Sequence, residues 1–334
     1  MIQTKTLLLT EKDVKKLLTM DEVMQAVESA FKAKGLGHAQ MPAKVYLFYN
    51  KYKGDLRAMP SYLEELDVSA VKIVNSHSEN RTKYGLPTVM AIIILVDPKN
   101  GAPMAMMGGT WATDMRTGAA GGIAAKYLAK KDAKVVGFVG AGAQARTQLM
   151  SLISLYKRLE EVRVWSRTEK TRDAYVAEME SLYGNATKIV PVKNAKYAVE
   201  GADIVVTTTP SRKPIVLNNW VEAGTHFNCI GADAPGKQEL EPAILTRAKI
   251  VVDDWEQASH SGEINVPLTR GIITEKNVWG AICNIVAGLK TGRTSSHEIT
   301  VFTSTGLAVQ DAVTADLAYK KALANGIGKF LEIV

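Results

Sequence analysis

The chain has 334 residues, of which 46% are hydrophobic, and a formal charge of +7 at pH 7. This length exceeds that of a usual single domain and predicts two domains with separate cores. The longest uninterrupted apolar run, Val89 to Val96, is too short to cross a membrane, and no signal-peptide segment precedes the charged stretch from Glu11. We therefore expect a soluble, cytoplasmic protein without a membrane partner.

The charge pattern and the cysteines narrow the class further. Lysines and arginines are scattered and form no basic arm, so nucleic acid is not an expected partner, whereas a basic balance suits anionic small molecules. Cys229 and Cys283 are the only cysteines and form no C-x-x-C pair, which favours a reducing compartment, buried thiols and no metal site. H-E-x-x-H, G-x-S-x-G and P-loop patterns are absent, and the histidines are too scattered to be ligands.

The first elements lack a regular strand-helix rhythm. Helices are predicted over Thr10 to Leu18 and Met20 to Lys34, with Thr10 as N-cap and Asp13 three residues later. Strands are expected next, the last two joined as a hairpin by the turn from Asp97 to Gly101: Ala43 to Tyr49, Ser69 to Val74, Thr88 to Val96 and Ala102 to Gly108.

A glycine-rich turn follows the apolar run Val135 to Val139 and opens into a helical pattern. Gly140 permits a tight turn, Gly142 lets backbone N–H groups approach a pyrophosphate, and Ala145 keeps the next helix close to the strand. Alone, this G-x-G-x-x-A spacing also fits a plain strand-to-helix connection. The context favours a dinucleotide site, because a helix from Glu169 to Leu182 and further strand-like runs follow at βα intervals: 162–165, 188–192, 202–206, 226–230 and 248–252.

This rhythm predicts an α/β protein. A doubly wound parallel sheet, the Rossmann domain, is placed at residues 126–307. Residues 1–125 form an α+β domain, and the helical tail at 308–334 returns to complete it, so that this domain is discontinuous.

The end of the second Rossmann strand bears on cofactor choice. An acid that binds the NAD ribose usually lies roughly twenty residues past the glycines, but here Ser166, Arg167 and Thr168 follow Trp165. A guanidinium between two hydroxyls suits a 2′-phosphate, which favours NADP(H). The alternative is a helix N-cap at Thr168 beside a solvated arginine.

Charged residues in apolar or glycine-rich surroundings are candidates for a pocket. Lys72 lies in a strand of Val and Ile and must either extend to the surface or be buried with a lowered pKa, the state useful in acid-base chemistry. Arg57 and Arg116 could bind a carboxylate, or be surface charges. Asp233 follows the fifth Rossmann strand, where ligands bind such sheets, although it could also shape the Pro-Gly turn beside it.

Together these segments closely resemble the ornithine cyclodeaminase and mu-crystallin family, and within it the archaeal-type alanine dehydrogenases most of all. The resemblance covers nearly the whole chain. It rests on Gly54 to Pro60, the Lys72 strand with Asn75 to His77, Gly85 to Met90, Arg116 to Gly122, Thr207 to Pro214, and Gly231 to Asp233.

The resemblance implies a Rossmann domain beside a dimerisation domain whose strands join those of a second copy in a shared barrel, with the substrate between the domains. It implies Lys72 and Asp233 as catalytic residues, and Arg57, Lys72, Thr88 and Arg116 as substrate-binding residues. It also implies a set of cofactor contacts: Arg116, Thr117, Gly140, Gly142, Ala143, Gln144, Ala145, Ser166, Arg167, Thr168, Thr208, Thr209, Pro210, Ser304 and Gly306.

Two segments depart from the alanine dehydrogenase pattern. Ser166-Arg167 replaces an aspartate, and Thr303-Ser304-Thr305-Gly306 replaces Asp-Ser-Thr-Gly. The expected activity is an NAD(P)-dependent L-amino-acid dehydrogenase, with L-alanine, pyruvate and ammonia as reactants and NADP favoured. Ornithine cyclodeamination, ketimine reduction and small-ligand binding of the mu-crystallin type stay open as alternatives.

Overall fold

The structure, a computed structural model, describes residues 5–157 and 159–333. The chain divides into two compact units: unit 1 is Met1–Arg116 with Leu307–Val334, and unit 2 is Thr117–Gly306. The first division falls inside a helix, α4 (Thr110–Leu128), and the sequence-based boundary after residue 125 lies within the same helix. No helix of the described residues is both long and apolar enough to cross a bilayer.

Unit 1 is built on a mixed eight-stranded sheet in the order β16-β1-β7-β6-β5-β4-β2, with β3 paired to β4. All neighbours are antiparallel except β1 and β7. The strands are β1 (Lys5–Leu9), β2 (Ala39–Gln40), β3 (Val45–Tyr49), β4 (Gly54–Leu63), β5 (Val68–His77), β6 (Val89–Val96), β7 (Pro103–Gly108) and β16 (Lys329–Glu332). Its helices are α1 (Glu11–Leu17), α2 (Met20–Gly35), α3 (Asn80–Lys83), the start of α4, and α12 (Ala308–Asn325).

One face of this sheet is covered by α12. Ala308 at the start of α12 packs against Met59, Val74 and Ala91, one from each of three neighbouring strands. Because strand side chains alternate between faces, the register that pairs Lys72 with Met59 and Ile93 places Lys72 on this covered face. The strand period thus sets the face on which Lys72 lies, and the packing of α12 against that face buries the lysine.

The opposite face of the sheet exposes apolar side chains. Ile92 is 42% exposed and Leu47 55% exposed. We call this surface the uncovered sheet face and define it by residues that the register places on one side: Leu47, Leu56, Ile73, Ile92, Ile94 and Met106.

Unit 2 is an all-parallel eight-stranded sheet in the order β10-β9-β8-β11-β12-β15-β13-β14. The strands are β8 (Val135–Val139), β9 (Glu161–Trp165), β10 (Lys188–Pro191), β11 (Ile204–Thr207), β12 (His226–Cys229), β13 (Ala248–Val252), β14 (Val278–Ala281) and β15 (Ile299–Thr303). Its helices, after α4, are α5 (Ala143–Leu155), α6 (Glu169–Tyr183), α7 (Ala195–Val199), α8 (Pro242–Leu245), α9 (Trp255–Ser261), α10 (Asn265–Thr269) and α11 (Ile282–Val286). The predicted α/β class, with a Rossmann-like parallel sheet and a second mixed-sheet domain, is confirmed.

Several local predictions are also confirmed. Thr10 caps α1 in a capping box with Asp13, and both cysteines are buried. Helix α4 is not recognisable from the sequence, because Gly118 and Gly121 resemble a loop. In the structure these glycines provide close packing: a Cβ on Gly118 would lie 2.4 Å from the Thr147 carbonyl oxygen, and one on Gly121 would lie 2.0 Å from Gln148 Oε1.

Candidate active-site residues

A buried charge cluster in unit 1 surrounds Asp311 of α12. The Nζ of Lys72 lies 2.7 Å from both carboxylate oxygens of Asp311, and both side chains are 1% exposed. Arg116 of α4 donates from Nε to Asp311 at 2.9 Å and from Nη1 to the Gln310 amide oxygen at 3.1 Å. The Asp311 carboxylate thus contacts both Lys72 and Arg116. Of the two alternatives predicted for Lys72, an exposed or a buried amine, the structure has the buried one.

Burial determines the protonation chemistry of this lysine. Desolvation first, and then the nearby positive charge of Arg116, lower the pKa of Lys72 from 10.5 to about 7, although Asp311 acts in the opposite direction. An amine with a pKa near 7 exists in both forms at neutral pH, which suits a general acid or base. Of the two alternatives that the strand pattern left open, the structure has the buried lysine with a lowered pKa.

Arg57 and Thr88 are placed differently from this cluster. Arg57 lies on the same sheet face as Lys72, since Arg57 is paired with Val74, but it is held by Asp55 through contacts of 2.9 and 3.1 Å. Thr88 precedes β6, and its carbonyl oxygen accepts a hydrogen bond from the His77 N–H at 2.8 Å. Asp311 thus brings Lys72 and Arg116 together, whereas the contacts described for Arg57 and Thr88 are with Asp55 and His77.

In unit 2 the glycine-rich turn has the features of a phosphate cradle. Gly140 has φ +114°, a conformation that favours glycine, and Gly142 is the N-cap of α5 without a side-chain cap. A Cβ on Gly142 would meet nothing within 4 Å. Ala143 and Gln144 form the first turn, and Ala145 is buried. An uncapped helix N-terminus with open space before it fits a pyrophosphate.

Residues at the end of β9 fit a nucleotide ribose or its phosphate. Ser166 is half-buried, and Arg167 and Thr168 are exposed. The Thr168 hydroxyl donates to Thr171 Oγ1 at 2.7 Å, while the N-cap position of α6 has no side-chain hydrogen bond to the backbone. Arg167 forms no ion pair with any of the described residues, so its exposed guanidinium is available to an anion.

Two loops leave the carboxyl ends of the neighbouring strands β11 and β12. The first carries Thr208, Thr209 and Pro210, and the Thr208 hydroxyl is buried without a hydrogen-bond partner in the part of the chain that the structure describes. The second carries Asp233, whose side chain is 38% exposed and forms an ion pair with Lys237. Both positions agree with the edge at which parallel α/β sheets bind ligands.

A third loop at this edge follows β15. Ser304 is 4% exposed, and its hydroxyl has no hydrogen-bond partner among the described residues. The carboxylate of Asp253 accepts hydrogen bonds from the backbone N–H groups of Thr305 and Gly306, at 2.5 and 2.7 Å. On α4, the Thr117 carbonyl accepts a hydrogen bond from Gln148 Nε2 at 2.8 Å. The buried Ser304 hydroxyl, at the ligand-binding edge of the unit 2 sheet, fits a contact to a nucleotide.

Sequence reasoning missed several partners of the candidate residues. Asp311 and Gln310 are polar residues in an otherwise apolar stretch of α12, and that contrast was the available signal. Asp55 precedes Arg57 by two residues on one strand, and Lys237 follows Asp233 at a spacing of four. Their roles became visible only from contacts.

Comparison with known proteins places this geometry in context. A sequence profile of the Ornithine cyclodeaminase/mu-crystallin family matches residues 4–326. The alanine dehydrogenase of Archaeoglobus fulgidus is 50% identical over 331 residues, covering 98% of this chain and 99% of the relative. A Delta(1)-pyrroline-2-carboxylate reductase of Bacillus cereus is 32% identical over 328 residues, covering 98% of this chain and 99% of the relative.

Two solved structures have the same fold over nearly their whole length. An archaeal alanine dehydrogenase dimer with bound NAD is 49% identical with a TM-score of 0.94, covering 99% of this chain and 100% of that one. The Delta(1)-pyrroline-2-carboxylate reductase of Thermococcus litoralis, in complex with NADH and L-proline, is 43% identical with a TM-score of 0.93, covering 97% and 99%. At these identities the likeness extends beyond the fold to the family.

Proposed function

The chain belongs to the ornithine cyclodeaminase/mu-crystallin family, and on that premise we propose that it is an NAD(P)-dependent L-amino-acid dehydrogenase that interconverts L-alanine with pyruvate and ammonia. The observation that carries this proposal is the buried Lys72, with a pKa of about 7, held with Arg116 around Asp311. Oxidative deamination needs a cation for the substrate carboxylate and a group that exchanges protons near neutral pH, and this cluster supplies both.

The residues take the following roles. Arg116 binds the substrate carboxylate, and Arg57, on the same sheet face as Lys72, contributes a second guanidinium. When bound, the nicotinamide supplies the acceptor for the Cα hydride in oxidation and the donor in reduction. Lys72 Nζ and the Asp233 carboxylate act as acid and base while water adds to the imine carbon and ammonia leaves it. They exchange protons with the substrate nitrogen and with the oxygen of the added water. Thr88 is assigned a substrate contact.

The cofactor is a nicotinamide dinucleotide held by unit 2. Gly140, Gly142 and the first turn of α5 would hold its pyrophosphate, because the open helix N-terminus favours an anion. Arg167 lies exposed at the end of β9, where NAD-dependent Rossmann domains usually have an acid, so we propose that NADP(H) is preferred over NAD(H). The two solved relatives described above carry NAD and NADH, so both cofactors belong in the assay.

A second candidate activity is reduction of a cyclic imine acid. It is favoured by the 43% identical reductase solved with NADH and L-proline. A cyclic imine acid presents the same carboxylate and the same C=N carbon as the imine of pyruvate, so Arg116 and Lys72 could serve either substrate. Which of the two is used depends on pocket shape.

We propose that the functional molecule is a homodimer. The uncovered sheet face of unit 1 exposes apolar side chains such as Leu47 and Ile92, at 55% and 42%. An open sheet with one apolar face in water is a typical interaction surface. The related archaeal alanine dehydrogenase was solved as a dimer, and a second copy of this chain provides the matching face.

Stoichiometry tests the proposed reaction. Purified protein is incubated with L-alanine and oxidised cofactor, and ammonia, pyruvate and reduced cofactor are measured together. We expect equal amounts of all three, and the reverse reaction from pyruvate, ammonia and reduced cofactor. Ornithine converted to proline and ammonia without net cofactor reduction would replace the proposal with cyclodeamination. Turnover restricted to cyclic imine acids would replace it with the second candidate. Cofactor binding with no turnover of any of these acids would instead identify a small-ligand-binding protein.

A further inference from the structure

A pair of buried glutamates lies behind the ligand-binding edge of the unit 2 sheet. Glu239 and Glu263 are both 0% exposed. Neither forms an ion pair with a lysine or arginine among the described residues. Burial of a carboxylate without a cation is unfavourable, and hydrogen bonds to its oxygens offset part of that free energy. The hydrogen bonds of Glu239 and Glu263 indicate their structural role.

The carboxylate of Glu239 joins two loops. Its Oε1 accepts hydrogen bonds from the backbone N–H of Thr209 at 2.6 Å and from the Thr209 hydroxyl at 2.7 Å. Its Oε2 accepts from the Thr207 hydroxyl at 2.8 Å and from the backbone N–H of Gly231 at 3.0 Å. One side chain therefore fixes the loop after β11, where cofactor contacts are assigned, to the loop after β12, which carries Asp233.

The junction leaves no spare room. A Cβ on Gly231 would lie 2.2 Å from the Thr209 carbonyl oxygen and 2.5 Å from Glu239 Oε2. The position of Asp233 depends on the same turn, because the Asp233 N–H donates to the Gly231 carbonyl at 3.1 Å. A shift of Glu239 would thus be transmitted over two residues to the proposed catalytic carboxylate.

Glu263 supports Glu239 from behind through the backbone. Its Oε1 accepts hydrogen bonds from the N–H groups of Leu240 at 2.6 Å and Glu239 at 2.9 Å. Its Oε2 is reached only by the same Glu239 N–H, at 3.1 Å, among the described residues. Burial raises the pKa of both glutamates, and that of Glu263 is raised further by the charge of Glu239.

We infer that Glu239 is a positioning residue, present as the carboxylate, that sets the Thr208–Pro210 cofactor loop and the Asp233 loop relative to one another, while Glu263 carries the proton of the pair. Each carboxylate oxygen of Glu239 already accepts two hydrogen bonds, so a proton on either oxygen would displace one of the donors. Glu263 Oε2 accepts only a shared hydrogen bond and has a position for the proton. The inference rests on the proposed function for the role of Asp233 and for the assignment of cofactor contacts to the loop after β11.

The matched pair of variants Glu239→Gln and Glu263→Gln tests this assignment. Glutamine cannot accept four hydrogen bonds at the position of Glu239, because its amide nitrogen would face N–H or O–H donors. At position 263 glutamine resembles the protonated acid. We expect Glu239→Gln to raise the dissociation constant for NADH or NADPH, measured by fluorescence titration, at least about tenfold, because small displacements of positioning loops cost this much. Glu263→Gln should stay within about threefold of the parent protein.

These readouts separate positioning from folding and from the proposed reaction. A dissociation constant is a property of the folded molecules and does not depend on the folded fraction, which the melting temperature reports separately. Hydride transfer in a single turnover with L-alanine, counted per bound cofactor, should also fall at least about tenfold in Glu239→Gln. Absence of alanine turnover in the parent protein would count against the proposed function alone, since the cofactor titration still decides the inference.

Three results would overturn the inference. These are unchanged cofactor affinity in Glu239→Gln, equal losses in both variants, or a larger loss in Glu263→Gln. If Glu239→Gln does not fold, Thr207→Val and Thr207→Ser replace it, because Thr207 donates a side-chain hydrogen bond to Glu239. Thr207→Val should then weaken cofactor binding and Thr207→Ser should restore it, whereas equal affinities in these two variants would also overturn the inference.

Discussion

Lys72 and Asp311 lie 239 residues apart in the chain, and the Lys72 Nζ is 2.7 Å from both carboxylate oxygens of Asp311. Strand β5 and helix α12 thus build one buried ion pair from opposite ends of the sequence. Because both side chains are buried, the protonation of Lys72 depends on desolvation, on the charge of Arg116 and on Asp311.

Replacement of Lys72 by methionine removes the amine but keeps the length and apolar stem of the side chain. We expect kcat to fall at least about a hundredfold, the usual scale for an acid-base group, while cofactor affinity is retained because the cradle lies in unit 2. Steady-state kinetics and a cofactor titration measure the two effects. Lys99→Ala, at a side chain that is 77% exposed, is the control. Near-normal turnover by folded Lys72→Met would rule out a catalytic lysine.

The pH dependence of kcat/KM should contain an ionisation near pH 7, from Lys72. Burial lowers the pKa of this lysine and Asp311 raises it, so Asp311→Asn removes a raising contribution and leaves the lowering ones. The ionisation should therefore move to lower pH in Asp311→Asn and be absent in Lys72→Met. Profiles measured from pH 5 to 9, about two units on each side, decide this. An ionisation that moves to higher pH, or that persists without Lys72, contradicts the assignment.

Arg167→Ala tests the reading of the 2′-phosphate. Hydrogen bonds to charged groups contribute about 1.5–3 kcal/mol, so NADPH binding should weaken roughly ten- to a hundredfold and NADH binding should change little. Fluorescence titrations with both cofactors measure the difference, and Lys170→Ala, at an exposed neighbour, controls for general charge. Equal effects on both cofactors, or no NADPH preference in the parent protein, would remove Arg167 from this role.

Asp233→Asn should abolish alanine oxidation and pyruvate amination together, by at least about a hundredfold, since both directions share the same proton transfers. The side chain keeps its size, so the turn after Gly231 should persist and cofactor binding should remain. Asp173→Asn, at a side chain 57% exposed, is the matched control. Loss of one direction only would mean that Asp233 acts outside the shared steps.

Ile92→Lys places a charge on the uncovered sheet face. If a second copy covers this face, the buried charge should dissociate the dimer or raise its dissociation constant by orders of magnitude, because an unpaired buried cation is strongly unfavourable. Light scattering coupled to size-exclusion chromatography measures the mass. Leu182→Lys, at a side chain 61% exposed in unit 2, should leave the mass unchanged. An Ile92→Lys protein of unchanged mass would place the interface elsewhere.

Local features of this protein were predictable from the sequence. The strand Val135–Val139, the glycine turn after it and the start of α5 depend on neighbouring residues, because turn glycines and strand periodicity act over a few positions. The capping box at Thr10 is local for the same reason. The α/β class followed from the repetition of such signals, and the family from motifs that are specific in combination.

Features that depend on distant residues were not predictable in this way. The strand around Lys72 allowed either an exposed or a buried amine, and only the packing of α12 on β5 placed Asp311 beside it. Helix α4 was not predicted, because its glycines resemble those of a loop. In the structure they allow close contact with Thr147 and Gln148. Glu239 gave no sequence signal, since its role is to join two loops that meet only in the folded sheet. The local sequence thus determined most of the helices and strands, whereas tertiary packing decided the partners of the buried charges. A charge removed from water is stabilised only by the groups that the fold brings near it, and these groups set its pKa.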